Sequence, residues 1–364
     1  MIVLPHEAPT GALYAEFNTY FRALGERMRQ AVVVARVDDD PWTGATSFRP
    51  YDVVRTAAPR LNEDAVVGSL VSTLLLPQAR PWLNVSVRPS MIHSPVGVTW
   101  WERELFVADE SLGHVVRLYA AGDNLVTPGL DEPFHIHADR SKLLVANRVA
   151  HEIIMADVNK PGGLSSNHRT LTAAAGRAFA RPHGVHQAYG CTVVADTDNH
   201  RVVATLEDIW LVREPRWHEI AADIAVTYPC AVLSSAHGIW IADTFNDRLI
   251  LASREGDVRS IIPGSSDGEG FDRPVALATD TEQRILIVSE ECCKRVRFLR
   301  IHTEGRLETL ASLAQQETRP EGADLAVMGT PMGLSVNRDN ILAIADRERR
   351  CVWTIDLDEM PDLQ

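Results

Sequence analysis

One short phrase recurs along this chain, and its period constrains the fold more than any other feature. Each copy has a proline, a small residue, a hydrophobic run with a polar end, a basic residue and a second hydrophobic run. The clearest copies span residues 182–203 and 229–250, and successive copies begin 38 to 57 residues apart. Repeats of about 40–50 residues that hold several short strands are typical of β-propeller blades, so we predict an all-β, six-bladed β-propeller. The copies are anchored by Pro95, Pro133, Pro182, Pro229, Pro274 and Pro331.

Each copy predicts four strands, but the last copy is one strand short. Short runs rich in β-branched residues, such as 285–288, suit strands that are covered on both faces. The third strand of the last copy, 351–355, is followed only by a short polar tail, whereas a candidate strand at 82–87 precedes the first copy. We predict that this segment pairs with the final blade and closes the ring, which removes exposed strand edges. The predicted propeller therefore spans 82–364, and residues 1–81 form an N-terminal extension.

The polar residues that end the hydrophobic runs, called run-end residues below, indicate how the turns are held. In the two clearest copies an arginine follows five residues later, as in Asp196–Arg201 and Asp243–Arg248. Aspartate and asparagine ordinarily hydrogen-bond the backbone of tight turns, so we interpret these groups as structural rather than catalytic. The run-end residues are Asp109, Asn147, Asp196, Asp243, Ser289 and Asp346.

Across roughly residues 82–356 this pattern resembles the NHL repeat family of propellers. The resemblance implies that the run-end aspartate and the basic residue brace the turn between the second and third strands. His114 and Lys294 stand at the arginine position as basic substitutes, whereas Glu152 occupies it in blade two. In blade six Arg350 lies one residue early, so the turns of blades two and six depart from the pattern.

The composition excludes several classes of function. The net charge of −13 disfavours nonspecific binding to nucleic acid, because that affinity comes from many cationic contacts with phosphates. No apolar stretch reaches the length of about 18 residues that a membrane span needs, so we expect no membrane segment. The five cysteines are odd in number and scattered, which does not suit a disulfide framework. Since the N-terminus lacks the pattern of a secretory signal, we expect a cytoplasmic protein.

Residues 11–30 predict one amphipathic helix in the N-terminal extension. Apolar and aromatic residues recur there at helical spacing, and charged residues fill the other positions. Three roles stay open for this helix. It packs against the ring, it covers one mouth of the propeller as a lid, or it forms the contact of a homodimer.

The residues that flank the prolines locate a candidate binding face. In a propeller, the loop that enters the innermost strand and the loop between the second and third strands open on the same face, where binding residues tend to lie. Because these positions converge on the ring axis, we predict a mixed-charge, partly apolar cup, a composition typical of small-molecule pockets. Just before the prolines lie Ser94, Glu132, Arg181, Tyr228, Arg273 and Thr330, and just after them lie Val96, Phe134, His183, Cys230, Val275 and Met332.

Four histidines on the inner strands of blades two and three are candidate metal ligands. His135 and His137 lie on the same side of their strand, His186 lies at a similar depth, and His183 lies above them. A neutral imidazole is the commonest metal ligand, and three histidines with an open water position form a recognised zinc site. Two alternatives stay open. The histidines donate hydrogen bonds or carry protons without a metal, or they are buried, satisfied and without function.

The phrase Arg-Pro-His-Gly-Val at 181–185 is similar to a motif of the peptidyl-hydroxyglycine amidating lyase family. In that family a zinc-binding histidine follows the blade proline, and a tyrosine and an arginine lie near the metal. The resemblance implies a metal at His183, although Cys230, Val275 and Met332 occupy the equivalent position in later blades. We therefore take from it the location of the site and not the substrate.

The first hypothesis for function is an enzyme, a lyase or hydrolase that acts on a small polar metabolite with a divalent metal such as zinc. Tyr228 would serve as acid or base, and Arg181 and Arg273 would clamp a carboxylate or a developing oxyanion. Glu132, the only carboxylate among the residues that flank the prolines, completes the candidate catalytic set.

Two alternatives from other classes stay open. A non-catalytic NHL propeller would present its rim to a protein partner, because a fold does not imply an activity. A sugar-lactone hydrolase similar to the regucalcin-type propellers would hold calcium or zinc through carboxylate and asparagine ligands at the axis.

Overall fold

The computed structural model describes residues 2–3, 34–36, 47–49, 83–86, 92–102, 104–118, 125–139, 141–157, 168–265, 268–314, 328–360 and 363. In the N-terminal extension, Ile2–Val3 pairs in parallel with Val34–Arg36, which pairs antiparallel with Ser47–Arg49. The predicted helix at 11–30 lies outside the described residues. Among those residues, no helix has the length and apolarity that a membrane crossing requires.

Six four-stranded antiparallel sheets form a ring, which confirms the predicted all-β, six-bladed propeller. In blades one to five, the strands follow chain order from the axis outward. Blade one holds Pro95–Trp101, Glu104–Asp109, His114–Leu118 and Leu125–Pro128, and blade two holds Pro133–Asp139, Lys142–Asn147, Glu152–Asp157 and His168–Leu171. Blade three holds Gly184–Ala188, Cys191–Asp196, Arg201–Thr205 and His218–Ile220, and blade four holds Ala231–Ser235, Gly238–Asp243, Arg248–Ala252 and Val258–Ile262. Blade five holds Pro274–Thr279, Ile285–Glu290, Arg295–Ile301 and Leu307–Ala314.

Blade six takes its strands from both ends of the propeller sequence. Its inner strands are Pro331–Val336, Ile341–Asp346 and Cys351–Asp356. Its outermost strand is Leu83–Ser86, which pairs antiparallel with Cys351–Asp356. This strand lies in the segment from which the sequence predicts ring closure.

A few short elements lie between the blades or between strands of one blade. A hairpin of Ala173–Ala174 and Arg177–Ala178 lies between blades two and three. Short 3₁₀ turns at Thr197–Asn199, Thr244–Asn246 and Thr303–Gly305 follow strands of blades three, four and five.

The hydrophobic core lies between neighbouring blades. Both faces of the second and third strands are covered, so that Val193, Val194 and Ile241 are fully buried. Six clusters of buried apolar side chains each join two adjacent blades, including blades six and one. Continuous apolar runs therefore form strands here because each sheet packs against a sheet on either side.

The residues two positions after the blade prolines are mostly small because the innermost strands approach one another closely. A Cβ at Gly97 would lie 2.1 Å from the carbonyl oxygen of Phe134, and one at Gly333 would lie 2.7 Å from that of Val96. Only a residue without a side chain fits between these backbones. In blade two the corresponding residue is His135, whose ring extends across the axis to the carbonyl oxygen of Met332 at 3.3 Å.

The run-end aspartates hold the turns, which supports their structural interpretation. Asp196 accepts hydrogen bonds from the backbone N–H of Ala180 and from Nε of Arg201, both at 2.7 Å. Asp243 accepts equivalent bonds from Thr227 at 2.6 Å and from Arg248 at 2.7 Å. Each aspartate thus ties the loop that enters the blade to the turn between its second and third strands.

The predicted run-end residue of blade five was wrong by one position. Glu290, not Ser289, accepts from the backbone N–H of Asp272 at 2.8 Å, and its basic partner is Arg295 rather than Lys294. The strand ends at Glu290, and the longer glutamate side chain reaches the same kind of backbone N–H that aspartate reaches in other blades.

Blades two and six hold their turns with different hydrogen-bond partners. In blade two, Asn147 accepts from the backbone N–H of Asp131 at 2.7 Å and donates to Glu152 at 2.9 Å. In blade six, Asp346 accepts from the indole Nε1 of Trp353 at 2.8 Å. The departures visible in the sequence therefore change the partner of the run-end residue and keep its role.

Candidate functional site

The residues that follow the blade prolines fill the axis at the proline end. They come from all six blades, are at most 5 % exposed, and form a layer called the axial plug below. Tyr228 packs against this layer. The predicted cup at this end is therefore closed at its floor, because the converging side chains fill the space they were expected to line. The axial plug consists of Val96, Phe134, His183, Cys230, Val275 and Met332.

The residues that precede the prolines form a rim above the axial plug, and four of the six have an unusual backbone conformation. Glu132, Arg181, Tyr228 and Arg273 all have φ between 45° and 53°, the left-handed region that disfavours side chains. The N–H of Arg181 donates to Nδ1 of His151 at 2.9 Å, a residue of the preceding blade. The N–H groups of Tyr228 and Arg273 are bound in the same way by His200 at 3.1 Å and by Asp247 at 2.8 Å.

Charged side chains on the rim neutralise one another. Arg148 pairs with Glu110 at 2.7 Å and donates through Nε to Glu132 at 3.1 Å. Further round, Arg347 pairs with Glu291 at 3.0 Å, and Lys294 pairs with Glu348 at 2.7 Å. The structure thus brings the predicted Glu132, Arg181, Tyr228 and Arg273 to one face, but above a filled axis rather than around an open pocket.

A cavity of about 1040 Å³ opens at the opposite end of the axis. All six blades contribute the last residues of their inner strands and the loops that follow. Three aromatic residues, Trp100, Trp101 and Tyr189, lie in its wall beside polar groups that include Gln187 and Ser234. We call it the axial cavity, and its size suits a small organic molecule.

Two of the four predicted histidines lie in the axial cavity. The rings of His137 and His186 approach to 4.1 Å between centroids, at an angle of 45°. His183 lies instead in the axial plug, with its ring 4.6 Å from that of Phe134. His135 lies in the layer of small residues between plug and cavity. The structure therefore divides the four histidines among three levels of the axis.

Burial keeps the axial histidines neutral. It lowers the pKa of His137 to about 4, although a hydrogen bond to the backbone of Gln187 and the charge of Asp139 partly raise it. Burial and the neighbouring His137 lower the pKa of His186 well below its usual value. Burial likewise lowers the pKa of His135 to about 4. At neutral pH each ring therefore has one donor nitrogen and one acceptor nitrogen.

Hydrogen bonds assign the tautomers of the cavity pair. Nδ1 of His186 accepts from the backbone N–H of Ser234 at 3.3 Å, which leaves the ring proton on Nε2. The hydrogen bond between His137 and the backbone of Gln187 raises the pKa of His137, which is the effect of a ring N–H that donates to a carbonyl oxygen. Its Nε2 is buried and has no hydrogen-bond partner among the described residues, so the lone pair lies there. The pair thus offers one acceptor and one donor.

The donor set does not fit a three-histidine metal centre. Among the described residues, no three His, Cys, Asp or Glu side chains are arranged to hold a metal ion. Nδ1 of His183 lies 3.5 Å from Sγ of Cys230, and Nε2 of His135 points at a carbonyl oxygen. A nitrogen that donates its proton to a carbonyl has no lone pair for a metal. The structure therefore does not bring the four candidate histidines together at one point.

Sequence reasoning missed the cavity lining, although the repeat contained a signal for it. The aromatic and polar residues lie five to seven positions after the blade prolines, as Trp100 and Trp101 do after Pro95, and Gln187 and Tyr189 after Pro182. Inner strands of five to seven residues carry these positions to the far end of the axis.

Comparisons with known proteins support the fold. No family model and no curated protein matches the chain. A Bacteroides thetaiotaomicron protein of unknown function is similar in structure, with 10% identity and a TM-score of 0.55 over 86% of this chain and 82% of that chain. A catalytically inactive virginiamycin B lyase from Staphylococcus aureus, solved with quinupristin, has 10% identity and a TM-score of 0.53 over 75% and 98%. A gluconolactonase from Xanthomonas campestris has 15% identity and a TM-score of 0.52 over 73% and 86%. These similarities identify the chain as a six-bladed β-propeller with lyases and lactonases among its structural neighbours.

Proposed function

We propose that this protein is an enzyme of the lyase or hydrolase class that binds a small organic substrate in the axial cavity. The observation that carries the proposal is the pair of neutral imidazoles, His137 and His186, 4.1 Å apart in the wall of a cavity of about 1040 Å³. A concave pocket with aromatic walls and a few converging polar groups is the usual setting of a small-molecule site.

The two imidazoles have complementary roles in this proposal. Nε2 of His137 has a free lone pair but is buried in the cavity wall, so in this proposal the ring turns toward the bound substrate before it takes a proton from the substrate or from an attacking water molecule. Nε2–H of His186 donates a hydrogen bond to the oxygen on which charge develops. Because Ser234 holds the other nitrogen of His186, the ring is fixed in the tautomer that the reaction needs.

The low pKa of His137 predicts an unusual pH profile. A base with a pKa of about 4 is unprotonated over the whole neutral range, so activity stays level there and falls only as the pH approaches 4. A histidine in water would produce the same fall near pH 6.5. The pH dependence of kcat/KM therefore reports directly on whether the buried ring is the base.

Activity assays on purified variants test the proposal. The probe substrates are quinupristin, with which the similar lyase was solved, and a gluconolactone. We expect His137→Ala and His186→Ala to lower kcat/KM by about 10²–10⁴-fold, the usual contribution of an acid or base. His168→Ala, which alters an exposed histidine of an outer strand, is the matched control and retains full activity. Turnover that both cavity substitutions leave intact would exclude the histidine pair.

A second candidate is a non-catalytic protein that binds a small molecule in the axial cavity. Such a protein would bind a probe saturably and in a way that depends on His186, but no reaction would follow.

The metal prediction is a separate question, and no step of the proposal involves a metal. Metal analysis of the wild type beside His183→Ala tests it, since a stoichiometric metal that disappears on substitution would support a centre at His183.

We also propose that the repeats are of the NHL type. The support is the bond between the run-end aspartate and the arginine five residues later, which measures 2.7 Å in both blade three and blade four. An acidic residue and an arginine repeat this spacing in blade five as Glu290 and Arg295.

A further inference from the structure

The inner wall of the axial cavity carries no charged side chain. It is formed by described residues that lie three to five positions after each blade proline, and all of these except Val185 and Val232 line the cavity. No aspartate, glutamate, lysine or arginine occurs at these positions in any of the six blades. The two histidines among them, His137 and His186, are neutral at pH 7 because burial lowers the pKa of both. A ligand at this depth therefore meets an uncharged surface.

The charged residues of the cavity lie further out, at its mouth. Glu102, Asp139 and Arg338 line the cavity six or seven positions after a blade proline and are exposed. Asp280 lies at the same level but holds its own hairpin turn, since one carboxylate oxygen accepts from two backbone N–H groups of that turn, both at 2.7 Å. An ionic group that entered the inner cavity would lose its water and meet no countercharge there, which is costly.

One side of the inner wall is polar. At the register four positions after the proline, blades six, one, two and three carry Ser335, Thr99, His137 and His186. Each hydroxyl accepts a backbone N–H of the next blade, at 3.2 Å in Ser335 and at 3.0 Å in Thr99. A hydroxyl that accepts one bond still has its own proton to donate. Together with Nε2–H of His186, these adjoining blades therefore offer neutral donors to a ligand.

The opposite side of the inner wall is aliphatic. At the same register blades four and five carry Leu233 and Ala278, and Leu277 and Leu334 lie one position nearer the prolines. These side chains belong to the apolar clusters that join blade four to blade five and blade five to blade six. The hydroxyl of Ser234, the next residue of blade four, already donates to a carbonyl oxygen of blade three at 3.0 Å. Polar and aliphatic groups are thus separated around the axis, blade by blade.

We propose that the axial cavity takes an uncharged amphipathic carbonyl compound, such as a neutral ester or amide, with hydrocarbon along one edge. This inference rests on the proposed function, because it names the class of substrate for the same cavity. The carbonyl edge lies against blades six, one, two and three, which hold the donors and both proposed catalytic histidines. The hydrocarbon edge lies against blades four and five. Burial of the hydrocarbon contributes affinity, and the donors fix the orientation that brings the reacting group to the histidines.

Titration calorimetry with four six-membered-ring probes tests the class of ligand. Cyclohexanecarboxamide is neutral and has both a carbonyl edge and a hydrocarbon edge. Cyclohexanecarboxylate and cyclohexylmethylammonium keep the ring but carry a negative or a positive charge, and inositol is neutral but has no hydrocarbon edge. We expect the carboxamide to bind the wild type saturably, with a Kd on the order of 1 mM. Both ions should bind at least about tenfold more weakly, and inositol at least about fivefold more weakly.

Matched variants locate the carboxamide in the cavity. Leu233→Ser interrupts the aliphatic side and Ser335→Ala removes one donor, so each should weaken the carboxamide by about threefold or more. Leu211→Ser alters a leucine that is 83 % exposed on an outer loop of blade three, and it should bind as the wild type does. Circular dichroism confirms that each variant is folded. Because the comparison of the four probes uses the wild type, it stays decisive even where a variant does not fold.

The outcomes separate this inference from the proposed function. Equal or tighter binding of either ion would contradict the uncharged wall, and equal binding of inositol would contradict the aliphatic side, whether or not a substrate is turned over. Absence of saturable carboxamide binding, or binding that both cavity substitutions leave unchanged, would remove this ligand class from the cavity. If the carboxamide binds as expected but turnover survives the substitution of both histidines, the ligand class stands and the proposed reaction fails.

Discussion

The two ends of the propeller axis are built from the same strands, yet they differ in almost every physical respect. At the proline end, six converging side chains fill the axis and charged residues pair above them. At the opposite end, the same strands leave about 1040 Å³ open, with two neutral histidines in the wall. We call the filled proline end the narrow end and the opposite, open end the wide end. The packing at the narrow end stabilises the ring, and the wide end has room to bind a ligand.

The largest expected effect is loss of stability at the narrow end. Asp196 is fully buried and bonds both Ala180 and the nearly buried Arg201. Asp196→Ala leaves the Nε of buried Arg201 and the backbone N–H of Ala180 without their carboxylate, although Glu219 still pairs with Arg201 at 3.3 Å, so we expect the free energy of unfolding to fall by about 3 kcal/mol in urea titrations. The matched control is Asp198→Ala, which removes a partly exposed carboxylate whose ion pair measures 3.9 Å. It should cost less than about 1 kcal/mol. Equal losses in the two variants would contradict the assigned role of the run-end residue.

The next effect concerns acid and the histidines of the wide end. The pKa of His137 is about 4 in the folded chain and about 6.5 when unfolded, so the folded state binds fewer protons between these values. Its contribution to stability is complete above pH 6.5, shrinks as the pH falls, and is lost by about pH 4. Since one pKa unit corresponds to about 1.4 kcal/mol, the total is about 3 kcal/mol.

Unfolding measured at pH 7 and at pH 4 in His137→Gln checks this effect. Glutamine does not titrate, so the loss of stability between the two pH values should be about 3 kcal/mol smaller than in the wild type. An unchanged difference would mean that the ring of His137 is protonated as readily in the folded chain as in the unfolded one.

The fold was predictable because the same sequence pattern recurs six times, so that the combined copies identify the blades even where one copy is ambiguous. Each copy of the phrase is weak on its own, but six prolines at similar spacing leave few alternatives to six blades. The error in blade five shows the limit of the pattern. Ser289 occupies the expected place in the phrase, whereas the chemistry needs a carboxylate at the strand end, which Glu290 supplies. Hydrogen-bonding capacity was therefore a better guide to register than the sequence phrase.

The candidate site was only partly predictable, because periodicity fixes depth along the axis but not the distance across it. The register of the repeats placed Phe134, His183 and Cys230 at the axis, where the structure has them. Whether such side chains line a cup or fill it depends on the width of the ring at that depth. The alternation of side chains along the strand predicted that His135 and His137 lie together. Their rings lie at different levels, and His137 contacts His186 of the next blade instead. Packing between blades therefore determines which histidines are neighbours.

The smallest expected effect separates the structural role of His186 from its proposed chemical role. Three inner-strand side chains at the same register accept a backbone N–H from the next blade. Thr99 accepts from Ala138 at 3.0 Å, and Ser335 accepts from Trp100 at 3.2 Å. His186 accepts in the same way from Ser234, at 3.3 Å. A hydroxyl thus does in two blades what an imidazole does in blade three.

His186→Thr should therefore keep the bond between blades and remove only the ring. Because a neutral hydrogen bond contributes about 1 kcal/mol, we expect the free energy of unfolding to change by no more than about that amount, while turnover of a probe substrate falls as in His186→Ala. Parallel urea titrations and kinetic assays on both variants measure the two quantities. A loss of several kcal/mol in the threonine variant would mean that the imidazole is needed to fill the ring, and the wide end would then resemble the narrow end more than the open cavity implies.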